Sequence, residues 1–541
     1  MVQKKNKNPS LHLDYFRNTV VREGVKKIQL PLSFEKYCKG MRLDIEAVRK
    51  RYYLKILEDL DPDLRRISLL HWEKFGKIPE RLDLDSGIMV DFSSKSIEIP
   101  FSLFVRRMAH FIGIWLKTLG LYLLVLLQKR LDYTSPYRVF SDADFFKGIE
   151  VSENNPNLLK FLEKVEATDF PCIIKGENNC DSPLISSSFR PVISLLRHPN
   201  ISRFAIYRLI LTHILRLPSL LRIGFFAPSC LSLLRELFEV DQYIILDRNA
   251  AADRFYQTNS GLFNQHLGLV SRSRSNIKAC MLFYSVNSFC LYPGPSGDYA
   301  EVPMFYFWQF DVGYYWCEDH YLWWNKLIGK HEGKIVGAIQ GFPKKVENEL
   351  QADKNEINIS IFDVTPVDPD FYEKYGLSSR MNYYYTTKNC CMFIDDLLRV
   401  CSVKEAELNT KIRILFKSKR RFAKVHCAKY IEFLDSLAAE KNITIVDCHT
   451  DICDLFRISD LVVSVPFTSP SLMGYLSGVK SIYYDPVSYL NPIHFQNKSI
   501  SLISNRKDLG EVISNVVLER SGRVLSASIE GSLYTADPIS S

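Results

Sequence analysis

The last third of the chain alternates short, almost wholly apolar runs with longer amphipathic ones. The runs INISIFDV, KIRILFK, ITIVD, LVVSVPF, KSIYYD and ISLIS read as strands. Between them, NCCMFIDDLLRVC, CAKYIEFLDSLAAEKN, DICDLFRISD and SLMGYLSG have helical spacing, and KDLGEVISNVVLER follows the last. Strands that alternate with helices imply a parallel sheet covered on both faces, and such strands are expected to be continuous apolar runs.

The pattern is looser upstream. Residues 1–145 read as mainly helical. From about 150 to 340 the runs mix, with QYIILD (242–247) and ACMLFYSV (279–286) as expected buried strands. MFYFWQFDVGYYWCEDHYLWW is dense in aromatic residues and reads first as a core plug, second as a stacking wall for a sugar or base. GKIVGAIQGFP, a strand closed by glycine and proline, precedes a charged stretch and marks a domain boundary near residue 342. Two runs are long and apolar. FIGIWLKTLGLYLLVLLQ is nearly long enough to span a bilayer and is read as a core or peripheral helix. FAIYRLILTHILRLPSLLRIGFF interleaves arginines with apolar residues and is read as a core helix, although such helices can also lie on anionic membranes.

Composition narrows the class only a little. The 541 residues are 47% hydrophobic and 24% charged, ordinary for a globular chain with more than one core. A net charge of +8 suits an anionic partner of any kind. Thirteen irregularly spaced cysteines do not form a disulfide framework, and Cys448, His449 and Cys453 make half a zinc site, so no metal is expected. No apolar signal-peptide core follows the basic N-terminus, which favours a cytosolic location.

In open α/β sheets ligands sit beyond the carboxyl ends of the strands. The residues that follow the expected strands are Asp363 and Thr365, then Lys417, Lys419 and Arg420, then Asp447 and His449, then Thr468 and Ser469, then Tyr484 and Asp485. Hydroxyls and cations thus gather on one rim. In FTSPSLMGY, Ser469 is placed to cap a helix that begins at Pro470, and free N–H groups there suit a phosphate. Lysine and arginine at a neighbouring strand exit suit the same group. No G-x-G-x-x-G follows a strand, and no P-loop, H-E-x-x-H or G-x-S-x-G occurs.

Three segments carry a resemblance. IVGAIQGFP is similar to an interdomain hinge, FKSKRR to a donor-phosphate segment, and ISDLVVSVPFTSPSLMGYLSGVKSIYYDP to the nucleotide-sugar block of two-Rossmann (GT-B) glycosyltransferases of bacterial surface and capsular polysaccharides. Related blocks occur in capsular Kdo transferases and teichoic-acid glycerophosphotransferases. The resemblance implies an α/β fold of two Rossmann-like domains facing a cleft. It implies an N-terminal helical extension (1–145, with membrane contact at 105–130), an acceptor domain (150–342), a donor domain (343–520) and a weakly ordered tail (521–541). It implies metal-independent transfer from a nucleotide-sugar, CMP- or CDP-linked because Met473 and Gly474 replace a ribose-gripping glutamate. The acceptor would be a glycan or glycolipid at the inner face of the cytoplasmic membrane, with peripheral contact to anionic lipid.

Lys417, Lys419, Arg420, Thr468 and Ser469 would then hold the donor phosphate. Asp363, Thr365, Asp447, Tyr484 and Asp485 would line the nucleotide or sugar. His266, in a segment similar to a Q-H-G motif, is the first candidate base and Asp311 the second. Other readings are a glycerophosphotransferase, a sugar-nucleotide epimerase, a non-catalytic assembly protein, or a nucleic-acid binder using the basic run 411–430; the rim favours a nucleotide-sugar and no nucleic acid.

Overall fold

The computed structural model describes residues 28–56, 81–83, 88–91, 96–130, 137–140, 184–186, 196–258, 278–283, 305, 307–338, 356–366, 385–419, 427–437, 442–488 and 500–521. They fall into two compact units, the first holding the described residues up to 338 and the second those from 356 on.

The first unit opens with helices α1 (Leu32–Gly40) and α2 (45–56). A small antiparallel sheet follows, of β1 (Arg81–Asp83), β2 (Met89–Asp91) and β3 (Ser96–Glu98), within a region read from the sequence as mainly helical. Then come α3 (Phe101–Leu127), β4 (Tyr137–Phe140), β5 (Leu184–Ser186), α4 (Arg203–Phe226) and α5 (Leu231–Arg248). The unit closes with β6 (Ala252–Thr258), β7 (Lys278–Leu282), β8 (Val312–Tyr315), α6 (Glu318–Ile328) and β9 (Glu332–Ile335). Six strands form one parallel sheet in the order β5-β4-β6-β7-β8-β9.

Three expectations change here. QYIILD lies in α5 and is not a strand. Its apolar run belongs to a helix buried on most of its circumference, which periodicity alone does not distinguish from a strand. The boundary expected near 145 does not divide the fold: β4 pairs with β5 and β6, and Arg51 of α2 makes a buried forked ion pair with Glu236 of α5. The helix of residues 204–226 is not a core helix, since Phe204, Leu211, Leu215 and Phe226 are exposed.

The aromatic stretch is a core plug, as its first reading has it. Trp308, Trp316 and Trp324 are almost wholly buried. Trp308 stacks on Trp324 with centroids 5.0 Å apart, and the Trp324 indole N–H donates to His320 Nε2 at 3.1 Å. Burial holds the His320 pKa down to about 3.

The second unit runs β10 (Glu356–Phe362), α7 (Thr387–Leu408), β11 (Lys411–Lys417), α8 (Ala428–Leu437), β12 (Ile443–Val446), α9 (Ile452–Ile458), β13 (Leu461–Ser464), α10 (Ser469–Leu476), β14 (Ser481–Tyr484), β15 (Ser501–Ile503) and α11 (Arg506–Arg520). Every strand and helix read from this part of the sequence is present. The sheet order is β12-β11-β10-β13-β14-β15, all parallel. Counted along the chain that is 3-2-1-4-5-6, the Rossmann order, with the topological switch between β10 and β13. β10, β13 and β14 are buried along their whole length, as central parallel strands are.

Candidate functional site

The switch point places two loops side by side, 363–366 after β10 and 465–468 after β13. Both contain a bulky residue in the left-handed region, Thr365 at φ 50° and Phe467 at φ 60°. A third, Ser488 at φ 49°, lies in the loop after β14. A β-branched or aromatic residue is disfavoured there by about 1–2 kcal/mol, so packing around the loops must enforce it. Nothing in the sequence marks these positions, because threonine and phenylalanine are not the residues that favour such a backbone.

Asp363 organises one half of the rim. It is buried and accepts from the Tyr430 hydroxyl at 2.7 Å, the Lys419 backbone N–H at 2.8 Å and the Thr365 hydroxyl at 3.3 Å. Burial raises its pKa and these hydrogen bonds act against the rise. The carboxylate therefore ties the loops after β10 and β11 together. That is an anchoring role, in place of the ligand-lining role expected for Asp363.

Lys417 ends β11 and its amine donates to the Cys448 carbonyl at 2.7 Å, in the loop after β12; burial lowers its pKa. In that loop the ligand atoms of Asp447, Cys448 and His449 lie within 4.8 Å of one another. Asp447 already accepts from the His449 backbone N–H at 2.6 Å, and the lysine places a cation on the same loop. Lys419 is exposed at the rim.

The other half is the start of α10, where the cap differs from expectation. The N-cap position is Thr468, with Ser469 and Pro470 already helical, and no side chain caps the helix. The buried Thr468 hydroxyl donates to the Val465 carbonyl at 2.7 Å, and the Tyr483 hydroxyl donates to the Thr468 carbonyl at 2.9 Å. Thr468 thus shapes the turn and is not turned to a ligand. Ser469 is half-buried and makes no hydrogen bond among the described residues. The first turn of α10 keeps its own N–H groups beside it, a partial positive charge at the carboxyl edge of the sheet.

Other candidates fall elsewhere. The Tyr484 hydroxyl donates to Asp396 of α7 at 2.6 Å, where Arg506 of α11 also binds, so it fastens β14 to α7 and leaves the rim. Asp485 is fully buried in its turn, accepting from the Val487 N–H at 3.2 Å. Asp311 stands before β8, at the amino end of the first sheet, where its carboxylate accepts from the Ala279 N–H at 2.8 Å. A strand-edge link at that end is not where parallel sheets hold ligands. His266, Arg420 and the hinge around Gly341 lie outside the described residues. The missing glutamate has a structural reason: Met473 is buried, and a Cβ on Gly474 would lie 2.7 Å from Ser481 Oγ and 3.0 Å from Val462 Cγ2.

A doubly wound parallel unit with strand order 3-2-1-4-5-6 defines a Rossmann-like α/β fold. The family profile for polysaccharide biosynthesis PFTS motif proteins matches residues 215–513, and the chain belongs to that family. Among curated proteins none matches the chain significantly. Several solved structures are similar at low identity. The wall teichoic acid polymerase TagF is 10% identical over 78% of this chain and 90% of its own, with a TM-score of 0.36. TarM of S. aureus, in complex with fondaparinux, alpha-GlcNAc-glycerol and UDP, is 14% identical over 51% of this chain, with a TM-score of 0.31. The chain spans about half the length of TarM, 52%. MurG of Acinetobacter baumannii is 12% identical over 53% of this chain and 71% of its own, with a TM-score of 0.29. Scores this low place no residue and no substrate.

Proposed function

We propose that the chain is a metal-independent glycosyltransferase of polysaccharide biosynthesis that binds the phosphate or diphosphate of a nucleotide-sugar at the switch point of its second unit. The observation that carries the reading is the start of α10, where N–H groups without a side-chain cap and a Ser469 hydroxyl with no hydrogen bond among the described residues meet at the carboxyl edge of the sheet. Negative charge that grows on the leaving phosphate would be stabilised there by fixed dipoles, with Lys419 and Arg420 adding charge from the next loop. Because positions 473 and 474 are packed against β13 and β14, the donor is held chiefly through its phosphates, which suits a CMP- or CDP-linked sugar. His266 remains the proposed base for the acceptor hydroxyl. The acceptor is a glycan or glycolipid assembled at the cytoplasmic face of the membrane.

Calorimetry with CMP, CDP, UDP and GDP tests this. One of them should bind, and Ser469→Ala should weaken it about 10–100-fold, the size of one hydrogen bond to a charged group, with the melting temperature unchanged. Absence of binding by all four overturns the reading. His266→Ala should abolish transfer and leave nucleotide affinity intact.

A further inference from the structure

Helices α3 and α4 lie antiparallel against each other. Phe104 near the start of α3 meets Phe225 near the end of α4, with centroids 5.6 Å apart. Further along, the Trp115 ring stacks on His213 at 5.1 Å and its indole N–H donates to the His213 carbonyl at 3.3 Å. Gly224 allows the approach, since a Cβ there would lie 2.6 Å from Met108 Cε. The inner faces are then covered by α5: Phe111 stacks on Phe238 at 5.6 Å, and Gln242 donates to the Tyr122 hydroxyl at 3.1 Å.

The outer faces are apolar as well. On α3, Phe101, Val105, Leu116, Leu123 and Leu127 are exposed, Leu127 at 83%. On α4, Phe204, Leu211, Leu215, Phe225 and Phe226 are exposed, Phe204 at 75%. On α3 the exposed positions Phe101, Val105, Ala109, Ile112, Leu116, Gly120, Leu123 and Leu127 recur every three or four residues, and on α4 Phe204, Tyr207, Leu211 and Leu215 do the same before the apolar face resumes at Phe225. Water-facing helices of globular proteins carry charge on that face, and an apolar surface of this extent marks an interaction site.

Charge selects the partner. Neither helix contains an aspartate or glutamate, whereas α3 carries Arg106, Arg107 and Lys117 and α4 carries Arg203, Arg208, Arg216 and Arg222. Arg216 donates to Asp241 of α5 at 2.6 Å. A second copy of this face would meet it cation to cation, whereas an anionic lipid surface complements it. Both helices are long and apolar enough to cross a bilayer by length and composition. Crossing would take Lys117, Arg208 and Arg222 into hydrocarbon and draw in the charged α5 packed along the pair. A helix pair with one apolar face and basic flanks instead lies in the interface plane.

We propose that α3 and α4 together form a membrane-docking surface that lies flat on an anionic leaflet. The surface belongs to the first unit and the switch-point site to the second, and neither assignment uses a residue of the other, so either stands or falls alone. The test uses the full chain and vesicles of phosphatidylcholine with or without about one-third phosphatidylglycerol. The wild-type protein should float with the anionic vesicles. Leu116→Glu/Leu123→Glu/Leu215→Glu should bind at least about tenfold more weakly at an unchanged melting temperature, because all three residues face outward. Lys117→Gln/Arg208→Gln/Arg222→Gln, which keeps the apolar stripe, should lose the preference for phosphatidylglycerol. Nucleotide affinity should be the same in all three proteins. The proposal is overturned if the wild type stays in solution, if the glutamate variant floats as well as wild type, or if the variant only dissolves a dimer. Resistance of the bound wild type to carbonate extraction would overturn the flat orientation in favour of a span.

Discussion

In the first unit the parallel sheet is backed by ring against ring. Trp308, Trp324, Phe283 and Tyr315 fill its core, and its apolar surplus continues outward onto α3 and α4. In the second unit the core is built from aliphatic strands, and its chemistry gathers at the carboxyl edge, where the buried Asp363 and the half-buried Lys417 brace loops beside the start of α10. Pairing is parallel in both, so the difference does not come from topology. A polar rim needs loops held in fixed, partly strained shapes, and the second unit supplies buried hydrogen bonds to hold them. The first unit invests its burial in aromatic area and leaves two helices whose outer faces want a partner other than water.

The contrast can be broken experimentally because all six tryptophans precede residue 325 in the sequence, ahead of the second unit, so indole fluorescence does not follow the second unit whereas circular dichroism follows both. The largest effect is expected from Gly474→Glu. It overfills the contact with β13 and β14 and buries a charge, so the second unit should lose about 4 kcal/mol or more, seen as a dichroism transition that the fluorescence does not share. Next is Asp363→Ala, which strands the Tyr430 hydroxyl and the Lys419 N–H and should remove about 2–4 kcal/mol from the same unit in urea titrations. If fluorescence and dichroism shift together in either variant, the two units do not unfold separately and the contrast is lost.

The smallest effect belongs to the first unit and to pH. His320 has its pKa lowered from 6.5 to about 3 when folded, since burial and the Trp324 hydrogen bond favour the neutral ring. Between those values the unfolded chain binds the extra proton. The stabilisation is therefore complete above about pH 6.5 and is lost as pH falls toward 3. At pH 5 the loss should be about 2 kcal/mol, and the indole melting transition should fall accordingly. His320→Phe should flatten that slope. An unchanged slope would mean that the ring is reached by water.

Much of the second unit was legible because its signals are local. Each buried parallel strand is a continuous apolar run, and each helix has amphipathic spacing, so strand, helix and rim could be read in order. QYIILD misled for the converse reason: a helix buried nearly all round has the same apolar run as a strand. The partners of the rim residues were not legible. Tyr484 and Asp485 adjoin a strand exit in sequence just as Ser469 does, yet Tyr484 turns to Asp396, 88 residues away, and Asp485 closes its own turn.

The sequence by itself determined the alternation of strands and helices, the polar residues at the strand exits and the acid-free composition of the two apolar helices, because each depends on neighbours along the chain. The tertiary structure alone decided the strand order and hence the switch point, the engagement of Asp363 and Thr468 as loop anchors, the position of Ser469 at the start of α10, and the outward faces of α3 and α4. Those depend on which distant groups come within hydrogen-bonding or van der Waals reach, and that is fixed only when the chain has closed on itself.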